Sequence, residues 1–482
     1  MNFRRAFFRT TAPRHAGVLL FCAIISLAGA SGAPQSREIS KLYSNHCGGC
    51  HGANMEGGQT DSMLDDTWRH GADDVSLARV IRDGAEQEGM PPFKGLLNEA
   101  EIRAMVVFIR EKGDQAARKG ATPPKPAIGE VVQTSKHRFH AETFVAGLST
   151  PWSMAFLPDG RVLVAELPGA LRVVASGKLL PAPIQGTPRV RARGQGGLME
   201  VALHPGYATN RWIYLAFSDP SPDPASPDAS LTAIVRGRIR NGQWTDEQTI
   251  FRAPAWTYRS TGVHFGCRLV FKDGFLFFPI GERGHMQDAQ DITRPNGKIH
   301  RVFDDGRIPP DNPFAGRSNA IPSIWTYGNR NPQGLDAHPE TGDLWETEHG
   351  PRGGDELNLV RKGLNYGWPV ITHGMNYNGT PITEITSKEG MEQPVIHWTP
   401  SIAVCGIDFY EGDKFPKWKN DLFVTGLASE ELRRLSIRDR KVVEQELIFK
   451  GIGRVRDVAS GPDGCLYVIL NKPDRILRLE PR

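Results

Sequence analysis

The sequence predicts an all-β, six-bladed β-propeller at residues 138–482, preceded by a small all-α domain at residues 36–115. The main observation is a weak internal repeat in which apolar residues, a turn and an apolar strand recur about every 60 residues. The copies begin at Met154 (MAFLPDGRVLVAE), Met199 (MEVALHPGYATNRWIYLAF), Cys267 (CRLVFKDGFLFFPIGE), Gly334 (GLDAHPETGDLWETE), Gly406 (GIDFYEGDKFPKWKNDLFVT) and Val458 (VASGPDGCLYVIL). Six copies fit six four-stranded blades with long loops, and a β-sandwich or two β domains is the alternative.

Two further observations complete this prediction. The segment from His140 to Val145 can join the last blade beside Ile476 to Leu479, which would close the ring. Upstream, Asn98 to Lys112 places apolar side chains on one face at helical spacing, and Ser36 to Asn45 and Val75 to Asp83 are further predicted helices. The Ala-, Lys-, Pro- and Gly-rich stretch at residues 116–137 reads as a linker.

The amino-acid composition of the chain excludes some classes of protein function. The chain has 482 residues with 52 Gly and 36 Pro, which is a turn-rich globular composition long enough for two to four domains. The net charge is only +4 and no basic stripe stands out, so no nucleic-acid partner is expected. Cys267, Cys405 and Cys465 are scattered, so they can form at most one disulfide.

The first 33 residues are predicted to be a signal peptide. Four arginines and no acid precede an apolar run from Ala16 to Ala30, which is too short for a stable membrane anchor, and small residues follow it. The pair Arg4-Arg5 looks like a twin-arginine signal, but the sequence does not decide between export in the folded and in the unfolded state. A retained N-terminal anchor is the alternative. We therefore expect a periplasmic protein without a stable membrane anchor.

A haem-attachment motif follows at Cys47-Gly48-Gly49-Cys50-His51. The spacing allows two thioether bonds from Cys47 and Cys50 to a haem, with the imidazole of His51 on the iron. A redox or zinc Cys-x-x-Cys is the alternative, although no second ligand pair follows. For the sixth iron ligand we expect Met90, which lies in a segment fixed by two prolines; the competitors are Met55, Met63 and His70.

Residues 36–115 resemble a class I c-type cytochrome domain. The resemblance rests on the CGGCH motif, the flanking predicted helices and the GMPPF segment. It implies an electron carrier whose haem c is attached outside the cytoplasm.

The richest polar stretch of the chain runs from Tyr327 to Leu359. Arginine and amide side chains come first, and a Gly/Pro turn follows that exposes backbone carbonyls suited to a hard cation. The alternative is a polar loop that joins two strands. If the blades converge, equivalent loops meet at one face of the propeller. The candidate site residues in these loops are Gln195, His264, Glu282, Ser401, Arg454 and Arg456.

Residues from about 140 to the end resemble the soluble quinoprotein glucose and sorbosone dehydrogenase family, most closely its aldose sugar dehydrogenase branch, which depends on pyrroloquinoline quinone (PQQ). The motifs are GQGGLMEVALHP, HFGCRLVF, IGERG, GNRNPQGL, EHGPRGGDELNLV followed by LNYGWP, and GRVRDV. They span all six repeats.

The resemblance implies a role for each residue. His264 is the base that takes the proton of the anomeric hydroxyl, Glu282 orients it, and Gln195 holds the sugar. Arg330 stabilises the oxyanion that develops on the quinone. The implied PQQ-binding residues are Arg330, Asn331, Gln333, Ser401, Arg454 and Arg456, with Asp355 supporting the site; Gly350 and Pro351 offer calcium their main-chain oxygens. Where soluble glucose dehydrogenases carry a PQQ-binding lysine, this chain has an uncharged segment around Ala428, and Ser401 replaces a threonine.

The expected function is periplasmic oxidation of an aldose to a lactone. Electrons would pass from reduced PQQ to the haem and then to an external acceptor such as a soluble cytochrome. The alternatives are a calcium-dependent propeller hydrolase such as a lactonase, a PQQ dehydrogenase of a non-sugar alcohol or aldehyde, and a haem-bearing binding propeller without His264–Glu282 chemistry.

Overall fold

The structure is a computed structural model that describes residues 37–65, 67–120 and 128–482, without the side chains of residues 118–120. The predicted signal peptide at residues 1–33 lies outside this described part, as does the centre of the predicted linker. None of the helices described is both long and apolar enough to span a bilayer.

The N-terminal unit is helical, as expected. Its helices are α1 (Ile39–His46), α2 (Gly48–His51), α3 (Asp74–Asp83), a 3₁₀ turn (Glu86–Glu88) and α4 (Glu99–Gly120). They enclose one apolar cluster that includes Leu42, Tyr43 and Met105. Helix α4 continues five residues beyond position 115, because Ala116 and Ala117 favour helix over linker conformation.

In the rest of the described chain, the regular secondary structure is almost entirely β-strand. A short helix α5 (Tyr207–Asn210) and 3₁₀ turns at Ala255–Thr257, Met286–Ala289 and Pro416–Trp418 interrupt it. The strands are β1 (Val131–Gln133), β2 (Arg138–Ala146), β3 (Pro151–Phe156), β4 (Val162–Glu166), β5 (Leu171–Ala175), β6 (Lys178–Leu179), β7 (Leu198–Leu203), β8 (Ile213–Pro220), β9 (Ser230–Arg240), β10 (Gln243–Phe251), β11 (Val270–Lys272), β12 (Phe275–Ile280), β13 (Lys298–Phe303), β14 (Ile324–Tyr327), β15 (Pro332–Ala337), β16 (Leu344–Glu348), β17 (Asp355–Val360), β18 (Ile396–Trp398), β19 (Val404–Phe409), β20 (Leu422–Gly426), β21 (Glu431–Arg438), β22 (Lys441–Lys450), β23 (Arg454–Ser460), β24 (Leu466–Asn471) and β25 (Arg475–Pro481). Strand β1 falls within the stretch predicted as linker, where two valines favour extended backbone.

In this described part the strands form six antiparallel sheets. Five have four strands each, namely β3–β6, β7–β10, β11–β14, β15–β18 and β19–β22, and the sixth has the order β1-β2-β25-β24-β23. The first strand of one sheet packs on the first strand of the next, as in β15 with β19 and β19 with β23, and β23 contacts β3. The arrangement is a closed six-bladed propeller, which confirms the predicted fold.

Ring closure depends on the pairing of β2 with β25. The register places Ala141 opposite Leu479 and Thr143 opposite Leu477, so the chain segment just after the linker completes the blade built by the last residues. This confirms the predicted pairing of the two distant segments. Because side chains alternate along each strand, both faces of most blades are apolar and pack on neighbouring blades.

Antiparallel topology determines which loops share a face. The segment before the first strand of a blade lies at the same edge as the segment between its second and third strands. The loops before β7, β11, β15, β19 and β23 therefore meet the loops after β12 and β16. The predicted site residues lie in these loops and in the strand segments next to them, which are Gln333 in β15, Asp355 in β17, and Arg454 and Arg456 in β23.

Candidate active site

His264 and Glu282 form a hydrogen-bonded pair at this face. His264 Nδ1 contacts Glu282 Oε1, and the side chains are 12% and 1% exposed. The backbone N–H of His264 donates to Gln195 Oε1 at 2.7 Å, so all three predicted residues come together. A carboxylate on Nδ1 favours the tautomer with the proton on that nitrogen, which leaves Nε2 as the acceptor.

The surroundings keep this imidazole neutral. Burial, followed by the positive charge of Arg330, lowers the pKa of His264, and the hydrogen bond and charge of Glu282 oppose this effect. A neutral imidazole with a free Nε2 is equipped to accept a proton. The pair therefore has the chemistry of a general base and its positioning carboxylate.

The backbone at the pair is unusually close-packed. His264 has φ +53°, and a Cβ at Gly281 would lie 2.4 Å from the carbonyl oxygen of His264. Asn331 Oδ1 accepts the backbone N–H of Gly266 at 3.0 Å, which ties the loop before β11 to the loop before β15. Only glycine permits this approach at position 281.

Arg330 bridges the loop before β15 and the loop after β16. Its Nη1 donates to the carbonyl oxygens of His349 and Gly350 at 2.8 and 2.9 Å, and its guanidinium lies 5.1 Å from the centre of the Trp368 ring. Its backbone N–H donates to Glu348 Oε2 at 2.5 Å. The guanidinium is thus held in one orientation.

Positive charge converges around Arg330. Burial lowers the pKa of His349 to about 3, and the charges of Arg330, Arg456 and His264 add to this effect in that order. Burial also lowers the pKa of Arg454, and Arg456 is the next cause. An anion would be attracted to the guanidinium groups of Arg330, Arg454 and Arg456, so this region suits a ligand with several carboxylates.

Several donors in this region are buried without a partner among the residues described. They are Arg330 Nε, Asn331 Nδ2 and His349 Nε2. Buried polar groups in native proteins are normally hydrogen-bonded, so such a group needs a ligand or ordered water. The donor set therefore fits a flat, oxygen-rich anion such as PQQ.

The remaining predicted binding residues lie around the same region. Arg456 Nη1 donates to Gln333 Oε1 at 3.2 Å, and Gln333 Nε2 donates to the carbonyl of Gly266 at 3.4 Å. Ser401 Oγ donates to the carbonyl of Pro351 at 3.4 Å. The segment at Ala428 pairs by its backbone N–H with the carbonyl of Ile402.

The loop between β16 and β17 is fixed by one buried carboxylate. Asp355 Oδ1 accepts the backbone N–H of Gly350 at 2.9 Å, and Oδ2 accepts that of Val404 at 3.0 Å. Burial raises the pKa of Asp355 to about 6, and these backbone hydrogen bonds counteract part of that effect. Asp355 therefore holds this loop against the next blade through both of its carboxylate oxygens.

The carbonyls of Gly350 and Pro351 already accept hydrogen bonds from Arg330 and Ser401. A carbonyl oxygen has two lone pairs, so each can also take a cation ligand position. Neutral carbonyl oxygens are among the ligands that Ca²⁺ takes, and these two would supply two of its roughly six to eight oxygen positions.

Sequence reasoning missed three residues of the site. His349 and Trp368 lie within the quoted motifs EHGPRGGDELNLV and LNYGWP, and Glu348 precedes His349, but their roles depend on burial and contact with Arg330. His349 directly precedes the Gly350-Pro351 turn and Glu348 precedes His349, and this position next to the turn is the signal that could have identified both residues.

The haem motif lies in the helical unit. Cys47 and Met90 pack against its apolar cluster, Cys50 is exposed, and His51 Nδ1 is buried without a partner in the part of the chain described. Among the competitors, Met55 is buried within the cluster, and Met63 packs against it.

His70, the remaining alternative for the sixth iron ligand, is on the surface. Its Nε2 lies 3.2 Å from Glu88. The positions of the two thiols and the imidazole fit a covalently held haem.

Comparison with known proteins identifies both parts of the chain. Residues 148–478 match the family model described as "Glucose / Sorbosone dehydrogenase", and residues 34–109 match "Cytochrome C oxidase, cbb3-type, subunit III". Aldose sugar dehydrogenase YliI of Escherichia coli is 44% identical over 343 residues, which cover 70% of this chain and 91% of that protein.

Solved structures agree with this match. The apo form of the soluble aldose sugar dehydrogenase from Escherichia coli has a TM-score of 0.66 at 40% identity, covering 71% of this chain and 100% of that one. The PQQ-bound aldose sugar dehydrogenase from Streptomyces coelicolor has a TM-score of 0.59 at 28% identity, covering 71% and 98%. The chain belongs to the glucose/sorbosone dehydrogenase family, and it is a sugar dehydrogenase of the oxidoreductase class with an N-terminal cytochrome c domain.

Proposed function

We propose that this enzyme oxidises an aldose at its anomeric carbon to the lactone in the periplasm, with PQQ as the primary oxidant. Electrons pass through the haem of the same chain to an external acceptor such as a soluble cytochrome. The observation that carries the proposal is the hydrogen-bonded His264–Glu282 pair beside the fixed guanidinium of Arg330.

Each residue has a definite task in this reaction. His264 Nε2 accepts the proton of the anomeric hydroxyl, Glu282 holds the imidazole through Nδ1, and Gln195 fixes the loop and positions the sugar. Bound PQQ supplies the electrophilic quinone that accepts the hydride. Arg330 stabilises negative charge that develops at the cofactor's oxygen.

Cofactor binding divides among the remaining residues. Arg454 and Arg456 provide positive charge for the carboxylates of PQQ. Hydrogen bonds to PQQ come from Asn331, Gln333 and Ser401. The carbonyls of Gly350 and Pro351 bind calcium, and Asp355 supports their loop. In the cytochrome domain, Cys47 and Cys50 hold the haem, and His51 and Met90 bind its iron.

A reconstitution experiment tests this function. The purified haem-containing protein is loaded with PQQ and Ca²⁺, aldoses are added one at a time, and the absorbance of ferrous haem is followed. At least one aldose is expected to reduce the haem, and His264→Asn should slow the reaction by roughly 10²-fold or more. Reduction by alcohols or aldehydes alone, or lactone hydrolysis without PQQ, would replace the proposal with one of the alternative functions.

The haem ligands are tested separately. Met90→Ala should retain sugar-dependent reduction of an artificial dye and lose transfer to an added cytochrome. Undiminished transfer to that cytochrome would show that electrons do not leave through this haem.

A further inference from the structure

One face of helix α4 lies against the propeller. Arg103, Val107, Glu111 and Asp114 are spaced by four, four and three residues, so they share one side of the helix. Arg103 Nη2 donates to the carbonyl of Thr383 at 3.0 Å. The backbone N–H of Ile39, at the start of α1, donates to the carbonyl of Gly379 at 3.0 Å. The cytochrome domain thus contacts the propeller through specific polar groups.

Two ion pairs lie along this face. Arg352 Nε lies 3.0 and 3.1 Å from the two carboxylate oxygens of Glu111, and its Nη2 makes a further contact with Oε2. The Arg352 and Glu111 side chains are 24% and 16% exposed. Lys450 Nζ lies 3.8 Å from Asp114 Oδ1. Two acidic groups of the helix therefore face two basic groups of the propeller, and the first pair is bidentate and mostly buried.

Arg352 belongs to the loop proposed to bind calcium, directly after Pro351. Its backbone forms a reciprocal pair with Met375, with N···O distances of 3.0 and 2.9 Å. The side chain of Met375 is 1% exposed and lies in the apolar cluster of the cytochrome domain, against which Cys47 and Met90 also pack. A propeller residue thus forms part of the wall around the haem motif.

A second contact makes the same connection. Val107 belongs to that apolar cluster, and a Cβ placed on Gly353 would lie 3.1 Å from Val107 Cγ1. The apolar cluster on which Cys47 packs therefore includes Met375 from the propeller and approaches Gly353 of the proposed calcium loop through Val107. A side chain at position 353 would require Val107 to shift by a few tenths of an ångström, and the positive φ of Gly353 (+73°) also favours glycine there.

We propose that Arg352 and Glu111 are the positioning pair that holds the cytochrome domain on the cofactor loop and sets the rate of electron transfer from the propeller to the haem. The Lys450–Asp114 pair is a weaker second contact. Neither residue of the positioning pair touches the substrate. The inference rests on the proposed function, in which the propeller is the source of electrons.

The redox balance is simple. Oxidation of one hemiacetal to a lactone releases two electrons and two protons. The haem iron is reduced from ferric to ferrous twice in succession, and each electron then passes to the external acceptor. The protons go to solvent. Each turnover therefore needs two transfers across this interface, so loosening it affects haem reduction and leaves sugar oxidation with a small dye in place.

Charge reversal tests the proposal. The variants are Glu111→Arg, which removes the pair from the cytochrome side, and the double swap Glu111→Arg/Arg352→Glu, which restores it. Arg440→Glu is the matched control, because Arg440 is an exposed arginine whose ion pair with Asp343 joins two parts of the propeller and does not involve α4. The haem-containing chain without PQQ is measured by small-angle scattering. The PQQ- and Ca²⁺-loaded chain is measured for haem reduction by sugar and for dye reduction.

Glu111→Arg is expected to enlarge the radius of gyration and to slow haem reduction about tenfold or more, because like charges then face each other across the interface. Dye reduction should stay within about twofold of the unaltered chain. The double swap should recover both properties in large part, and Arg440→Glu should match the unaltered chain.

Three outcomes would overturn the proposal. They are an unchanged radius and haem reduction rate in Glu111→Arg, an equal loss of dye and haem reduction, and no recovery in the double swap. A failure of the proposed function looks different: the unaltered chain would reduce neither haem nor dye with any aldose, while the scattering comparison would still decide whether the pair holds the domain.

Discussion

At the scale of single residues, the pKa of the proposed base, His264, is set by burial and by two neighbouring charged side chains. His264 has one ring nitrogen committed to Glu282 and lies close enough to Arg330 for that charge to lower its pKa. Burial is the largest cause and acts in the same direction. Glu282 therefore both orients the base and restores part of its basicity.

Glu282→Gln tests this balance. Loss of the carboxylate removes the influence that raises the pKa of His264, so the pKa should fall further and the acid limb of the kcat/KM profile should move to lower pH. The base also becomes weaker, and kcat should fall by roughly 10²-fold. The measurement is dye-linked activity across acid and neutral pH.

Glu389→Gln, which alters an exposed carboxylate, serves as its control and should leave the profile unchanged. A limb that moves to higher pH in Glu282→Gln would contradict the assigned role of Glu282.

The sequence predicted most of the site residues, but it did not show which other loop side chains become buried against them. Gln195, His264 and Glu282 were predicted from loops expected to meet at one face and from the family resemblance, and they come together in the structure. His349 and Trp368 were missed, because a histidine or tryptophan in a loop acquires its role only through packing on Arg330. Sequence spacing does not show which loop side chains become buried.

At the scale of elements, the loop from Gly350 to Gly354 depends on its anchor. Asp355 accepts two backbone N–H groups, one from its own loop and one from Val404 in the next blade. Gly354 donates to the carbonyl of Trp398 at 2.9 Å. The loop is thus fixed by neighbouring strands before any cation binds.

Asp355→Asn is expected to loosen this loop. An amide has one acceptor oxygen, so one of the two N–H groups would face an NH₂ donor, at a cost of about 1–3 kcal/mol. The thermal midpoint of the PQQ-free chain should fall, and calcium titration of the PQQ-loaded chain should show weaker binding.

For comparison, Asp343→Asn alters a partly exposed carboxylate that pairs with Arg440 and accepts a hydrogen bond from Thr341, and its cost should stay below about 1 kcal/mol. Equal effects of the two substitutions would rule out the anchoring role of Asp355.

Element ends were the least predictable part of the fold. The apolar face at Ile102 to Ile109 predicted α4, but its last turns depend on helix-favouring residues outside that face, so the helix reaches Gly120. Strand β1 is short and half exposed, with little hydrophobic pattern to distinguish it from a linker.

At the scale of the whole molecule, ring closure links the two ends of the propeller. Phe139 in β2 is fully buried, and its ring lies 5.9 Å from Trp418 and 6.4 Å from Phe415, edge to face. The early strand thereby packs against the fifth blade while it pairs with the last strand. Closure was predicted from the apolar pattern of both segments.

Phe139→Ala should destabilise the propeller by about 3–5 kcal/mol, since it leaves a cavity in a packed cluster. Val131→Ala changes an exposed side chain of the neighbouring strand and should cost less than about 0.5 kcal/mol. Chemical denaturation followed by tryptophan fluorescence measures both. A small effect at Phe139 would mean that the ring does not depend on this closure.

The arrangement of the two domains was beyond sequence reasoning. The pairing of Glu111 with Arg352 joins residues 241 positions apart. Nothing in either local pattern distinguishes them from ordinary surface charges. The blade repeat, by contrast, recurs often enough along the chain to be read directly.

The most direct test of the account is the concentration dependence of haem reduction. The PQQ- and Ca²⁺-loaded chain is mixed with saturating aldose in a stopped-flow instrument at several protein concentrations. If electrons pass within one chain, the rate constant for the first electron into haem stays the same at every concentration. A rate constant that rises in proportion to protein concentration, or haem that stays oxidised while a dye is reduced, would contradict it.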